Sequence, residues 1–218
     1  MGLSCSRAPN SDVNVRRLFG LAFFISGGLL LSFVGGRYAV GIARADEARQ
    51  QWDAGEAHRA VARARELVAH RPGVLSAPTA GAPVARLVIP KIDLDEIVIE
   101  GVDGDVLNAG PGHLPGSVLP GARGNAIVSA HRDRHFSHFD LLNVGDTVLT
   151  DSRAGRMQWV IVSQRIVDKD SPALFATRDT TLTLTTCWPI RFLGSAPERL
   201  IVTAKPVGRL TTRLASAN

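Results

Sequence analysis

Cysteine is nearly missing from this chain: among 218 residues only Cys5 and Cys187 carry a thiol. A long apolar run lies between them, which argues against a disulfide framework. A lone thiol in company with histidines and arginines points instead to a nucleophile. A basic patch is missing as well. The net charge is +5, but residues 1–83 hold ten arginines against six acids, and residues 84–218 hold fifteen bases against fourteen acids. The main domain therefore lacks the clustered Lys and Arg that a nucleic-acid surface needs, and no nucleic-acid partner is expected. There is no internal repeat. The only biased tract is the Ala-, Pro-, Gly-, Ser- and Thr-rich stretch from Gly73 to Pro83, which reads as a linker.

Charge is also missing from Leu18 to Gly36, between Arg17 and Arg37. Nineteen residues at about 1.5 Å each span roughly 28 Å, close to the hydrocarbon core of a bilayer. Glycines and serines dilute the run, which disfavours a buried soluble helix. Ala43-Arg44-Ala45 resembles a signal-peptide cleavage site, but the apolar core is long and lies well upstream of it. A retained anchor is therefore expected. Arg7, Arg16 and Arg17 before the span balance Arg37, Arg44 and Arg49 after it, so charge alone leaves the orientation open. Met1-Gly2-Leu3-Ser4-Cys5-Ser6 matches a myristoylation pattern, but a chain with its own span has little need of one.

Ala57, Val61, Ala64 and Val68 recur at helical spacing and predict a helix over Asp46–His70, stopped by Arg71-Pro72-Gly73. Its stripe is weakly apolar, so a stalk is expected rather than a helix packed on the main domain. From Val84 the pattern changes to strands, over 86–90, 92–100, 125–130, 147–150, 158–167, 180–186 and 199–205. No helix-length periodic segment intervenes, which disfavours a parallel α/β layout. Seven or eight short strands favour a closed barrel or a sandwich.

Three reactive groups fall in this β region. Ser129-Ala130-His131-Arg132-Asp133 ends one strand, Cys187 ends Thr-Leu-Thr-Leu-Thr-Thr-Cys, and Arg199 opens the last strand. Strand ends hold side chains in fixed positions at a barrel mouth. A thiolate can attack a carbonyl while an imidazole gives the leaving amine a proton, and a guanidinium can hold the developing oxyanion. Arg191 competes with Arg199 for that last role. His131, His135 and His138 with Cys187 could also gather zinc, if a helical turn aligns them. His131-Arg132-Asp133 imitates a kinase catalytic loop, but the asparagine position is His138. Gly110-Pro111-Gly112 opens a nucleotide-type pattern, but its third glycine position is Pro115.

Together these segments resemble the sortases. Thr183-Leu184-Thr185-Thr186-Cys187 matches the family's cysteine motif, 129–133 its histidine motif and 198–202 its arginine strand. Similarity continues through residues 87–92, 110–117 and 120–125. Trp188-Pro189, the helical stalk and the compact tail look most like the Gram-negative class GN. The resemblance implies a mostly β chain with a closed eight-stranded barrel and a single-pass inner-membrane anchor. The barrel is then on the periplasmic side. The implied activity is transpeptidation by Cys187 as nucleophile, His131 as acid and base, and Arg199 as oxyanion clamp. The implied donor is a secreted protein whose tail resembles Leu-Pro-x-Thr-Gly, and the implied acceptor is an envelope amine. Thr186, Ser171, Pro172, Ala173 and Leu174 are implied to shape the donor site. No cofactor or metal is expected, since no dense acidic cluster suggests calcium. The implied segments are 1–17 cytoplasmic, 18–36 anchor, 46–71 stalk, 72–83 linker, 84–207 barrel and 208–218 tail. A hydrolytic cysteine peptidase and a non-catalytic tethered barrel are the alternatives.

Overall fold

The computed structural model describes residues 11–69, 77–171, 179–192 and 194–210. Their contacts divide the chain into two units, Met1–Val40 and Gly41–Asn218. Helix α1 runs without a break over Ser11–Ala69, so the anchor and stalk segments expected from sequence lie on one helix. No proline or glycine pair interrupts the Ala-, Arg- and Glu-rich stretch after Gly36, and such residues sustain a helix. The helix holds a stretch long and apolar enough to cross a membrane.

The free-standing stalk expected from sequence is corrected between Gly41 and Trp52. Ala48 and Trp52 are buried with Ile97, Ile99 and Ala109 in a satellite core. The reason is steric as well as hydrophobic. A Cβ on Gly41 would stand 2.9 Å from the carbonyl oxygen of Asn108, so only glycine permits that approach.

In the second unit, eight strands among the described residues close a barrel. They are β1 (Pro83–Ile89), β2 (Leu94–Glu100), β3 (Gly112–His113), β4 (Asn125–Ser129), β5 (Thr147–Ser152), β6 (Gly155–Asp168), β7 (Thr181–Trp188) and β8 (Glu198–Arg209). Their order around the barrel is β1-β2-β3-β4-β7-β8-β6-β5. Closure leaves no free edge. The pairs β2–β3 and β4–β7 are parallel and the rest antiparallel. A short helix, α2 (Gly104–Ala109), is capped by Asp103, whose carboxylate accepts from the amides of Asp105 and Val106. Gly112 starts β3 against the carbonyl of Gly101 so closely that no Cβ fits there.

Alternation decides which side chains fill the barrel. Leu182 and Leu184 of β7, Ala126 and Val128 of β4, and Leu200, Val202 and Ala204 of β8 belong to the main core with Trp159. Their odd-numbered neighbours therefore face outward. Fully buried Phe136 and Phe139 stack with ring centroids 3.7 Å apart and pin the segment after β4 to the core.

Candidate active site

The register of three adjacent strands gathers the predicted residues. Cys187 on β7 pairs with Arg199 on β8. Ser129 on β4 pairs with Thr185 on β7, and the amide of Ala130 still donates to the Thr185 carbonyl. Continuing that register carries His131 to the level of Cys187. By parity Cys187 and Arg199 are outward positions side by side on β7 and β8, and His131 stands two residues beyond the end of β4, level with Cys187. Cys187 and Arg199 lie on the outer wall at the strand ends.

Cys187 is a free thiol and half-buried. His131 is half-buried too. Burial pushes its imidazole below the usual histidine range; Asp133 opposes this, while His135 and Arg134 reinforce it. Protonation is thus harder in the folded state than in the unfolded one. Stability falls as pH drops through the ordinary histidine value of about 6.5. One terminal nitrogen of the Arg199 guanidinium is engaged by backbone: Nη1 donates to the carbonyls of Glu198 at 2.9 Å and Ala196 at 3.3 Å. Arg191 is set apart from these groups: its Nε donates to Asp140 Oδ2 at 3.1 Å, and its side chain is 70% exposed.

Arg132, next to His131, spans to the loop that follows Cys187. Its Nη1 donates to the Pro189 carbonyl at 2.8 Å and its Nη2 to the Gly194 carbonyl at 2.6 Å. The guanidinium also sits 5.9 Å from the centre of the Phe192 ring. The segment bearing the imidazole and the loop after the thiol are therefore tied together. Spacing could not reveal this tie, because its acceptors are backbone carbonyls far along the chain.

Of the residues implied to shape the donor site, Pro172, Ala173 and Leu174 lie outside the described residues. Ser171 follows β6, and its amide donates to the Asp168 carbonyl at 3.0 Å. Thr186 is buried on the inward parity, and its hydroxyl donates to the Ala130 carbonyl at 2.8 Å. It thus fastens β4 to β7. The zinc arrangement does not form: among the described residues no three His, Cys, Asp or Glu side chains could share a metal. His135 instead meets Glu96 at 3.1 Å, and His138 meets Ser137 at 3.3 Å.

A second hydroxyl–imidazole–carboxylate series occurs away from these groups. Ser117 Oγ lies 2.9 Å from His113 Nε2, and His113 Nδ1 lies 2.5 Å from Glu100. His113 is 1% exposed, its Nε2 also faces the Val118 carbonyl at 3.0 Å, and Ser117 Oγ accepts from the Ile127 amide. Every polar atom of that imidazole is engaged inside the protein, so the series holds β2, β3 and the following turn together.

A family model for the sortase domain matches residues 87–207. Sortase D of Bacillus subtilis is 36% identical over 132 residues, covering 60% of this chain and 67% of that protein. Sortase C of Clostridium perfringens, solved with the C-terminal cell wall sorting motif, is 25% identical at a TM-score of 0.54, with 60% of this chain and 73% of that one aligned. A Clostridium perfringens sortase D5 transpeptidase shares the fold at a TM-score of 0.59 and 23% identity, over 78% of this chain and 99% of that one. Fold and matches together define a cysteine transpeptidase. The chain belongs to the sortase family.

Proposed function

We propose that this chain is a membrane-anchored transpeptidase that joins a secreted protein to an amine of the cell envelope. Its donor carries a tail resembling Leu-Pro-x-Thr-Gly. The Cys187 sulfur attacks the threonine carbonyl, and the tetrahedral oxyanion is stabilised by Arg199. His131 gives a proton to the leaving glycine amine as the peptide bond breaks, which leaves a thioester. An incoming amine then attacks the thioester, His131 takes its proton, and the thiol is regenerated as the new amide forms. Ser171 and the segment after it are assigned to the donor groove. The span within α1 is the anchor, with the barrel on the periplasmic side. Assignment to class GN rests on Trp188-Pro189, the helix and the tail; the relatives compared above carry other class names.

The observation that carries this reading is the pairing of Cys187 with Arg199 on β7 and β8 of a sortase barrel, with His131 just past the end of the neighbouring β4. The test is intact-mass spectrometry after incubation with a Leu-Pro-Ala-Thr-Gly peptide. The expected adduct sits on Cys187, lacks the glycine, and disappears when a primary amine is added. Cys187→Ala should give no adduct while keeping the unfolding temperature of the parent. Product formed by Cys187→Ala would remove the nucleophile from the scheme. Release of free acid at the same rate with and without amine would make the enzyme a peptidase.

A further inference from the structure

β4 ends at Ser129, two residues short of His131, so the strand by itself does not hold the imidazole in place. The residues that follow do. The His131 carbonyl accepts from the amides of Arg134 at 3.3 Å and Phe136 at 3.1 Å, which folds 131–136 into a compact turn. Phe136 anchors one side of the turn in the core, and Arg132 ties the other to the loop after Cys187. His135 makes a third tie, in a different direction. Its Nδ1 stands 3.1 Å from Glu96 Oε1 on β2, two strands from β4 around the barrel. Helix α1 reaches the same carboxylate: Arg49 Nη2 donates to the Asp95 carbonyl at 2.9 Å and stands 3.9 Å from Glu96 Oε2.

This tie leaves a defect behind it. The His135 side chain is 11% exposed. A carboxylate only accepts, so Nδ1 carries the hydrogen of the bond to Glu96. The other ring nitrogen, Nε2, is buried and has no hydrogen-bond partner among the described residues. A nitrogen in that state destabilises the fold, and a flat apolar ring would fill the same place without it. Packing therefore does not account for an imidazole at this position. What Nδ1 holds does.

We propose that Glu96 and His135 are positioning residues for the transpeptidation: their hydrogen bond holds the 131–136 turn so that the His131 imidazole stays level with Cys187. Both act through His131 and not on the donor. The assignment rests on the transpeptidase reading above and adds to it a support from β2, outside the strands that carry the reacting groups. A small displacement of a general acid slows proton transfer more than it weakens substrate binding. His135 also acts on His131 through charge. With burial and Arg134 it keeps that imidazole below the usual histidine range, against Asp133, while Cys187 and Arg199 face it from β7 and β8. His135 shares its own groove with Arg49, Asp93, Asp95, Glu96, Arg134 and His138.

His135→Phe keeps a ring in the site and removes the bond. With the Leu-Pro-Ala-Thr-Gly peptide and a primary amine, it should lose about tenfold in kcat, with KM within about twofold of the parent. Its unfolding temperature should stay close to the parent's, since the orphaned nitrogen goes with the bond and Glu96 is partly exposed. The limb of the kcat/KM profile that reports His131 should move to higher pH, because one of the influences lowering that imidazole is gone. Glu96→Gln keeps an acceptor for Nδ1 and should retain most of the rate, whereas Glu96→Leu should fall as far as His135→Phe. The double variant should be no slower than either change alone. Parent-like kcat and pH profile in His135→Phe would overturn the proposal and leave the transpeptidase reading intact. So would a loss of kcat that disappears when the assay is run well below a lowered unfolding temperature, since the pair would then serve only the fold. A parent protein that forms no adduct with the peptide would sink the transpeptidase reading and this assignment with it.

Discussion

Arg199 and Arg191 lie eight residues apart in sequence, but their surroundings differ. Arg199 is directly opposite Cys187, whereas Arg191 points to solvent and pairs with Asp140. Exposed pairs of the second kind contribute little, while a donor aimed at a developing oxyanion contributes several kcal/mol. Arg199→Ala should therefore lower kcat/KM with the peptide by about 10²- to 10³-fold, some 3 to 4 kcal/mol of transition-state stabilisation. Arg191→Ala should change it by about twofold or less. Steady-state rates for the two variants decide the matter, and the opposite ranking would transfer the oxyanion role to Arg191. Residue types and motif spacing made Cys187, His131 and Arg199 visible in the sequence. Arg132 was not visible, because its role depends on carbonyls 57 and 62 residues away.

At the scale of elements, the contact between α1 and the barrel carries a measurable part of the stability. Trp52 is 3% exposed among Ile97, Ile99 and Ala109. Trp52→Ala should cost about 3 to 5 kcal/mol, read as a lower urea midpoint for the second unit. An unchanged midpoint would mean that the helix leaves the barrel in solution. This contact was hard to read in advance because its surface is built from Gly41, Ala48 and Trp52, a single large apolar residue among small ones. The stripe of Ala57, Val61, Ala64 and Val68 drew attention further along. The strands were easier, since alternating β-branched runs mark β4, β7 and β8 within a few residues. β3 has two residues and α2 has six, too few to show any period. The length of β6, fourteen residues, exceeded the expected run because it pairs with β5 at one end and β8 along its length.

For the molecule as a whole, the division at Val40 makes a clean experiment possible. A chain beginning at Gly41 keeps Ala48 and Trp52 and loses the apolar stretch from Leu18 to Gly36. It should stay soluble without detergent and retain the peptide reaction, whereas the full chain should sediment with membranes. A full chain found in the soluble fraction would remove the anchor from the proposal. The parallel pairing of β4 with β7 has a consequence for when reactivity begins. Fifty-six residues separate Ser129 from its partner Thr185, and two further strands intervene between them. Until that distant pairing forms, the thiol has no imidazole at its side, even where the local β7–β8 pairing has already brought Arg199 opposite it. A nascent or unfolded chain therefore carries an ordinary cysteine, and onset of its chemistry doubles as a sensor that the barrel has shut.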